Sequence, residues 1–260
     1  MPDPTQSRRT WLLDRLCTPD VIVLEDLGWP EGPANSEQVT IEVLRPATAA
    51  SPAERLRIGC AGRVVEAEVD LSNREAHQVA SIRLQCAIGV APAGRAGLLV
   101  HSAGLALPGR GGVVALAPSG GGKSTLSNLC TELVGLSDET VLLRPGPPAL
   151  ITATPLRSSS VKVPEARTEP LRALLFLEKS PEPSYARMAK PEALRLLLAQ
   201  AYKLPTEIAT TAHLFKRASE LVENVPAYRF AFPKSPAGQE LLLRLFDEEL
   251  APVPAGASRR

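Results

Sequence analysis

The chain has 260 residues, of which 44% are hydrophobic and 22% are charged, and its formal net charge is +1. This length allows one large domain or two small ones, and the composition is that of a globular protein with a substantial core. A net charge so close to zero gives no electrostatic reason to expect a nucleic acid or a membrane as a partner. The four cysteines form no metal-ligand spacing, and no apolar run is long enough to span a membrane. We therefore expect a cytoplasmic protein with reduced thiols.

The first 95 residues predict a small unit that consists mostly of strands. Apolar and β-branched runs separated by turn residues predict four strands, at residues 21–24, 39–44, 56–60 and 63–69. An apolar stripe at helical spacing predicts a helix that begins at Ser72 or Asn73 and ends near residue 88. We therefore expect a β-rich N-terminal unit with a linking helix over residues 1–95.

The pattern changes after residue 96, where apolar runs alternate with helical stretches. Strands are predicted at residues 98–100, 105–107, 113–116, 133–136, 141–143, 150–152, 174–177 and 228–232. Helices are predicted from Lys123 to about Glu132 and at residues 190–202, 206–223 and 237–250. This alternation favours an α/β domain over residues 96–250, followed by a disordered tail at 251–260. The polar stretch 155–170 predicts a mobile loop near the functional site.

A glycine-rich stretch, Ala117-Pro-Ser-Gly-Gly-Gly-Lys-Ser-Thr125, lies between an apolar run and a helical pattern. A strand, a glycine-rich turn and a helix in this order are typical of a phosphate-binding loop, whose backbone N–H groups surround an anion. Lys123 would contact the β- and γ-phosphates, and the Ser124 hydroxyl would bind Mg²⁺. The predicted nucleotide-binding residues are Ser119, Gly120, Gly121, Gly122, Lys123, Ser124 and Thr125. The alternative is a glycine-rich hairpin that binds nothing.

An acidic pair, Asp138 and Glu139, ends an apolar run only one helix and one strand after Lys123. This is enough chain to return a parallel strand directly beside the strand that carries the loop. Carboxylates at the carboxyl end of such a strand would face the γ-phosphate, and with Ser124 they would bind Mg²⁺. The alternative is that Ser-Asp-Glu forms a solvated turn.

Two further residue types complete the predicted site. His101 follows an apolar run and would reach the phosphates as a hydrogen-bond donor or a proton relay, although a structural histidine is an equal alternative. Phosphoryl transfer also needs a cation on the developing charge. Arg157 is the first candidate, ahead of Arg167 and Arg172, and the alternative is that each is a surface arginine.

The segment from about Leu98 to Phe232 resembles the HPr kinase-like group of P-loop proteins, whose fold is related to that of phosphoenolpyruvate carboxykinase. The resemblance depends on the order of a histidine strand, Val100-His-Ser-Ala-Gly104, the loop, and an early acidic pair. Thr154-Pro155, the strand at 171–177 and the helix that begins Lys190-Pro-Glu-Ala-Leu194 are similar to smaller members associated with peptide-modification gene clusters. Glu139 replaces the second Asp of the family pattern, and the C-terminal signature of true HPr kinases is not found.

The resemblance implies an ATP- and Mg²⁺-dependent kinase that phosphorylates a hydroxyl, often a serine of a protein or peptide. It implies that Asp138 acts as the base or as a Mg²⁺-linked carboxylate, that Lys123 and Ser124 hold phosphate and metal, and that His101 supports the phosphate. The alternatives are a nucleotide-binding switch or assembly factor that transfers nothing, and a small-molecule kinase. The choice between ATP and GTP, a homo-oligomeric state and the role of the N-terminal unit are left open.

Overall fold

The structure, a computed structural model, describes residues 20–23, 38–48, 51–72, 74–154, 156 and 167–250. Within these residues the chain forms twelve strands and six helices, so its fold is mixed α/β. None of the described helices is both long and apolar enough to cross a membrane. Arg157, most of the predicted loop at 155–170 and the predicted tail at 251–260 lie outside the described residues. The chain divides into two compact units: residues up to 96 with 203–213, and residues 97–202 with those from 214 onwards.

The first unit contains an antiparallel sheet and a helix. Its four strands pair in chain order: β1 (Asp20–Val23), β2 (Gln38–Arg45), β3 (Ala53–Cys60) and β4 (Arg63–Asp70). The predicted hairpin is confirmed, and its turn places Ala61 and Gly62 at φ 51° and 78°, as a tight hairpin turn requires. Helix α1 (Ala76–Val90) and the short helix α2 (Pro92–Arg95) follow.

Helix α1 begins later than the sequence predicted. Its first helical residue is Ala76, and Glu75, not Ser72 or Asn73, is the N-cap residue. The reason is that the Gln78 side chain accepts the backbone N–H of Glu75 at 3.3 Å, which completes a capping box one turn further along the chain. A buried ion pair joins α1 to the sheet, because Arg83 donates to both carboxylate oxygens of Glu54 at 2.8 and 2.6 Å.

The second unit is built on a sheet of eight strands with helices packed on it. The strands are β5 (Leu98–Leu107), β6 (Gly111–Leu116), β7 (Val134–Ser137), β8 (Thr140–Arg144), β9 (Leu150–Ala153), β10 (Thr168–Lys179), β11 (Ser184–Arg187) and β12 (Ala227–Phe232). The helices are α3 (Lys123–Leu129), α4 (Lys190–Gln200), α5 (Thr211–Asn224) and α6 (Ala237–Glu248). Helix α3 therefore ends three residues before the predicted Glu132.

The strands pair in the order β11-β12-β10-β6-β5-β8-β9, and β7 also pairs with β5. The first residues of β10 pair with β9, so the pairings β5–β6–β10–β9–β8–β5 close into a ring. Strand β6 is one of the strands of this ring, paired with β5 on one side and β10 on the other, and all six of its residues are buried. This explains its uninterrupted run of small and apolar residues, since a strand covered on both faces needs no polar alternation.

Two apolar clusters cover the two faces of this sheet. Val114, Leu116 and Leu174 belong to the cluster that includes residues of α4 and α5. The neighbouring residues Val113, Ala115 and Leu175 belong to the cluster that includes residues of α3 and α6. The alternation places successive residues of β6 and β10 on opposite faces. Both strands are thereby fixed on each side, which gives the loop after β6 a rigid base.

The direction of the strands decides which residues share an edge of the sheet. Strand β10 is parallel to β6 and to β12, so the carboxyl ends of these three strands lie at one edge. Strand β5 is antiparallel to both β6 and β7, so β7 runs in the direction of β6. The prediction that β7 pairs directly with β6 is wrong, because the β5–β6 hairpin occupies one side of β6 and β10 occupies the other.

Candidate functional site

The loop between β6 and α3 is a tight turn that depends on glycine. Gly120 and Gly122 have φ values of 73° and 101°, a region that residues with side chains rarely adopt. Gly121 donates its N–H to the Pro118 carbonyl at 3.0 Å. A Cβ atom at Gly121 would lie 2.5 Å from the Ala117 Cβ and 2.9 Å from the Pro118 oxygen. The backbone is therefore curled so closely that three consecutive glycines are required.

Lys123 extends from the start of α3 back under this loop. Its ammonium donates to the carbonyls of Ala117 at 2.7 Å and Pro118 at 3.2 Å, and the residue is only 7% exposed. Burial lowers the pKa of Lys123, and the nearby charge of Glu139 opposes that shift. The loop, its lysine and one carboxylate are thus within electrostatic reach of each other. Ser124 and Thr125 follow Lys123 in α3 and are half-buried.

The acidic pair forms a rigid turn between β7 and β8. The Ser137 hydroxyl accepts the N–H groups of Glu139 at 3.3 Å and Thr140 at 3.2 Å, and it donates to the Leu156 carbonyl at 3.0 Å. The Glu139 carbonyl in turn accepts the N–H of Ser102 at 3.0 Å. Asp138 is 3% exposed, so the alternative of a fully solvated turn is wrong for this residue. The backbone of the turn is fixed from two sides.

His101 lies beside this turn. Its Nδ1 is 3.1 Å from the Glu139 carbonyl, and because a carbonyl only accepts, this contact assigns the ring proton to Nδ1. Burial and the charge of Lys123 lower the pKa of His101, and the Glu139 carbonyl and the charge of Asp138 oppose the shift. The ring is therefore neutral at pH 7, with Nε2 as a hydrogen-bond acceptor. This state argues against His101 as a donor to phosphate through Nε2, and it fits both the proton relay and the structural histidine that was the equal alternative.

The sheet register brings these residues to one edge. Ser102 of β5 is opposite Leu116 of β6, and Gly104 is opposite Ser137 of β7. His101, in the middle of β5, is therefore level with the ends of β6 and β7, so the beginning of the loop and Asp138 lie beside it although they are far apart in the sequence. This convergence is the central feature of the candidate site.

The candidate cations are not all at this edge. Arg172 lies beside Gly111, at the opposite end of β6, where a Cβ on the glycine would be 2.9 Å from the arginine Cγ; this placement excludes it from the loop. Strand β10 runs parallel to β6, so Arg172, near the start of β10, lies near the start of β6 and away from the loop. Arg167 pairs with Glu169 at 2.6 Å, and its carbonyl accepts the N–H of Ala153 at 3.0 Å. Arg157 lies outside the described residues.

Two residues of the site were missed by the sequence analysis. The Tyr202 hydroxyl accepts from the Thr140 hydroxyl at 2.9 Å and lies 3.3 Å from the His101 Nδ1. The Thr154 hydroxyl donates to the Thr140 carbonyl at 2.6 Å. No local signal predicts the first of these contacts, because Tyr202 and His101 are 101 residues apart. Tyr202 thus contacts both β8 and β5 beside the acidic turn, and Thr154, directly after β9, holds the end of β9 to β8.

The donor set suits a magnesium ion that is shared with a nucleotide. Ser124, Asp138 and Glu139 offer only oxygen atoms, which Mg²⁺ prefers. In the described part of the chain, His, Cys, Asp and Glu side chains do not gather in threes as a metal-binding group. Mg²⁺ usually completes its coordination with water and substrate phosphates, so a small set of protein oxygens is sufficient. The ligand atoms of these three residues are therefore of the type that the predicted ion takes.

Comparison with models of known protein families finds no match to this chain, and a search of curated proteins finds none either.

Proposed function

We propose that the chain is a P-loop kinase of the HPr kinase-like type, which uses Mg²⁺ and ATP to phosphorylate a hydroxyl. The proposed acceptor is a serine of a protein or peptide, and the proposed location is the cytoplasm. The observation that carries the proposal is the common edge of the loop with Lys123, the buried Asp138 and His101. An anion-binding turn alone would not need a buried carboxylate and a neutral imidazole beside it.

Each residue has a defined part in this proposal. The N–H groups of residues 119–125 and the Lys123 ammonium bind the phosphates, and Ser124, Asp138 and Glu139 hold the metal. Mg²⁺, when bound, neutralises charge on the transferring group. Asp138 orients the acceptor hydroxyl and takes up its proton. His101 is positioned by Glu139 and Tyr202, and its Nε2 accepts a hydrogen bond from the acceptor hydroxyl or from a water beside it.

The competing function is a nucleotide-binding switch or assembly factor. It is favoured by Glu139, which has one methylene more than the Asp of the family pattern and which also contributes its backbone carbonyl to the contact with His101. A switch of this kind would bind MgATP and transfer nothing. A small-molecule kinase would share the loop and the carboxylates and differ only in the acceptor.

Binding and transfer of labelled ATP test the proposal. Wild-type protein should bind MgATP, and Lys123→Ala should weaken binding at least tenfold, because it removes a buried cation from the phosphates. Lys216→Ala, on the exposed surface of α5, is the control. Transfer of the label from [γ-³²P]ATP is then measured to water and to a library of Ser-, Thr- and Tyr-containing peptides.

Asp138→Asn should reduce transfer at least a hundredfold at saturating MgATP, the usual contribution of a positioned base, so that any weaker Mg²⁺ binding does not account for the loss. Transfer that survives this substitution would contradict the role of Asp138. Binding without any transfer by the wild type would favour the switch, and no binding at all would refute the nucleotide site.

A further inference from the structure

Strands β10 and β12, on the other side of β6 from β5, also end at the edge of the sheet where the loop lies. Strand β10 pairs with β6 in parallel, with Phe176 opposite Leu116, so Glu178 and Lys179 continue to the level of the loop. Lys179 is in turn opposite Phe232, the last residue of β12. The N–H of Ser180 donates to the Phe232 carbonyl at 3.3 Å. The ends of β10 and β12 are therefore tied together beside the loop.

The connection from β12 to α6 is fixed against the last glycine of the loop. Phe232 is buried, and a Cβ on Gly122 would be 3.2 Å from its Cζ. The following turn is closed by hydrogen bonds from Ser235 N to the Pro233 carbonyl at 2.8 Å and from Gly238 N to the Ser235 carbonyl at 3.1 Å. Lys234 is part of this turn and comes two residues after Phe232, whose ring lies beside Gly122.

The structure gives Lys179 and Lys234 no ionic or hydrogen-bonding side-chain partner among the residues it describes. Both are exposed. Other exposed lysines of this unit behave differently, since Lys190 pairs with Glu223 and Lys216 lies 4.0 Å from Glu220. The acidic neighbour Glu178 is already paired with Arg229 at 3.4 Å. The charges of Lys179 and Lys234 are thus available to a ligand at the loop edge.

The two sides of the loop therefore have opposite charge. The carboxylates of Asp138 and Glu139 lie on the β5 and β7 side, where the proposed transfer takes place. The lysines lie on the other side, one and two strands from β6, which corresponds to about 5 and 10 Å along the edge. If the γ-phosphate of a nucleotide in the loop is near Asp138, then the lysines are on the side where its α-phosphate and nucleoside would extend. Lysine binds phosphate as a point charge.

We propose that Lys179 and Lys234 form a cationic subsite for the α-phosphate and nucleoside end of the bound nucleotide. This subsite sets the direction of the nucleotide in the loop, with the nucleoside toward β12 and the γ-phosphate toward Asp138. The inference rests on the proposed function, because it assumes that the loop binds a nucleoside triphosphate. It adds residues that no phosphate-loop pattern contains.

Titration with MgATP tests the subsite. The proteins are the wild type, Lys179→Gln, Lys234→Gln, the double variant and the matched control Lys216→Gln, which removes the same charge elsewhere in this unit. Each single variant should bind MgATP about fivefold more weakly, the loss expected for one exposed charge contact. The double variant should lose more and show a smaller dependence of affinity on salt. The control should bind like the wild type, and thermal unfolding confirms that all five are folded.

Photolabelling with 8-azido-ATP locates the nucleoside independently of affinity. The label should map to peptides that contain residues 179–184 or 232–240, and excess ATP should compete. A label confined to residues 138–156, or a double variant with wild-type affinity, would overturn the subsite.

These outcomes differ from failure of the proposed function. Wild-type protein that binds no MgATP contradicts both proposals. Lys123-dependent binding with unchanged affinity in the lysine variants contradicts only the subsite.

Discussion

Removal of the Tyr202 hydroxyl tests the polar contacts that position the acidic turn. In Tyr202→Phe, the Thr140 hydroxyl loses its acceptor at 2.9 Å, and Thr140 is fully buried. A buried donor left without a partner costs about 1–3 kcal/mol. Since Tyr202 is only half-buried, water reaches part of this site, and we expect a loss of about 1–2 kcal/mol in the free energy of unfolding.

A double-mutant cycle separates this hydrogen bond from other effects. Thr140→Val keeps the shape of the side chain and removes its hydroxyl. When both partners are apolar, neither polar group is left unsatisfied, so the double variant should be more stable than the sum of the single changes predicts, by about 1 kcal/mol. Unfolding in urea, followed by circular dichroism, gives the three free energies. Tyr185→Phe is the control, since that hydroxyl bonds the exposed Glu248 at the surface.

The same variants test whether Tyr202 acts on His101. The ring nitrogens of His101 report their protonation through ¹⁵N chemical shifts, which a purely structural change elsewhere would leave unaffected. Tyr202→Phe should alter the pKa of His101, whereas Tyr185→Phe should not. Additive free energies within about 0.3 kcal/mol, together with an unchanged His101 titration, would refute the reasoning.

Three further predictions concern the loop, the first unit and pH. Gly121→Ala should weaken MgATP binding at least tenfold, because its Cβ would clash with Ala117 and Pro118. Gly135→Ala is the control and should bind MgATP like the wild type, because a Cβ there meets nothing within 4 Å. Arg83→Met leaves the buried Glu54 carboxylate unpaired and should lower the free energy of unfolding in urea by about 3–5 kcal/mol. Adding Glu54→Leu to the same chain should restore stability. If it does not, loss of the ion pair is not the cause of the destabilisation. The pKa of His101 is lowered in the folded protein, so on acidification the unfolded chain takes up this proton at a higher pH than the folded chain does. The free energy of unfolding should therefore fall as the pH drops below about 6.5. His101→Gln should reduce this dependence on pH, which is measured by unfolding at pH 5 and pH 8.

The local features of the site were predictable because they depend on neighbours in the sequence. The turn from β6 to α3 follows from three glycines and a buried strand, and the hairpin at Ala61-Gly62 follows from its turn residues. The early acidic pair was placed correctly after a short strand. These features need only residue preferences and the strand period.

Long-range features were not predictable in this way. Strand β5 pairs with β8 over residues 98–101, with β6 over 102–107 and with β7 over 104–106, and no periodicity in its sequence specifies three partners. Residues 203–213 belong to the first unit, although the residues before and after them belong to the second. Tyr202, just before this segment, contacts His101, which is 101 residues earlier in the sequence. Such contacts depend on which surfaces remain unpaired once the nearer elements have formed.

The position of β5 between β6 and β7 has a consequence for the proposed chemistry. With β7 next to β6, the acidic turn would be one strand spacing, about 5 Å, from the end of the loop strand, whereas the intervening strand increases this to about 10 Å. A metal ion bound by oxygens at about 2 Å and a transferring phosphoryl group both need to fit between the loop and the carboxylates. Strand β5 provides that distance and places His101 in the middle of it. In the proposed reaction, His101 would therefore lie between the loop and the carboxylates, and the proposed lysine subsite on the far side of β6 would extend the same edge toward the nucleoside.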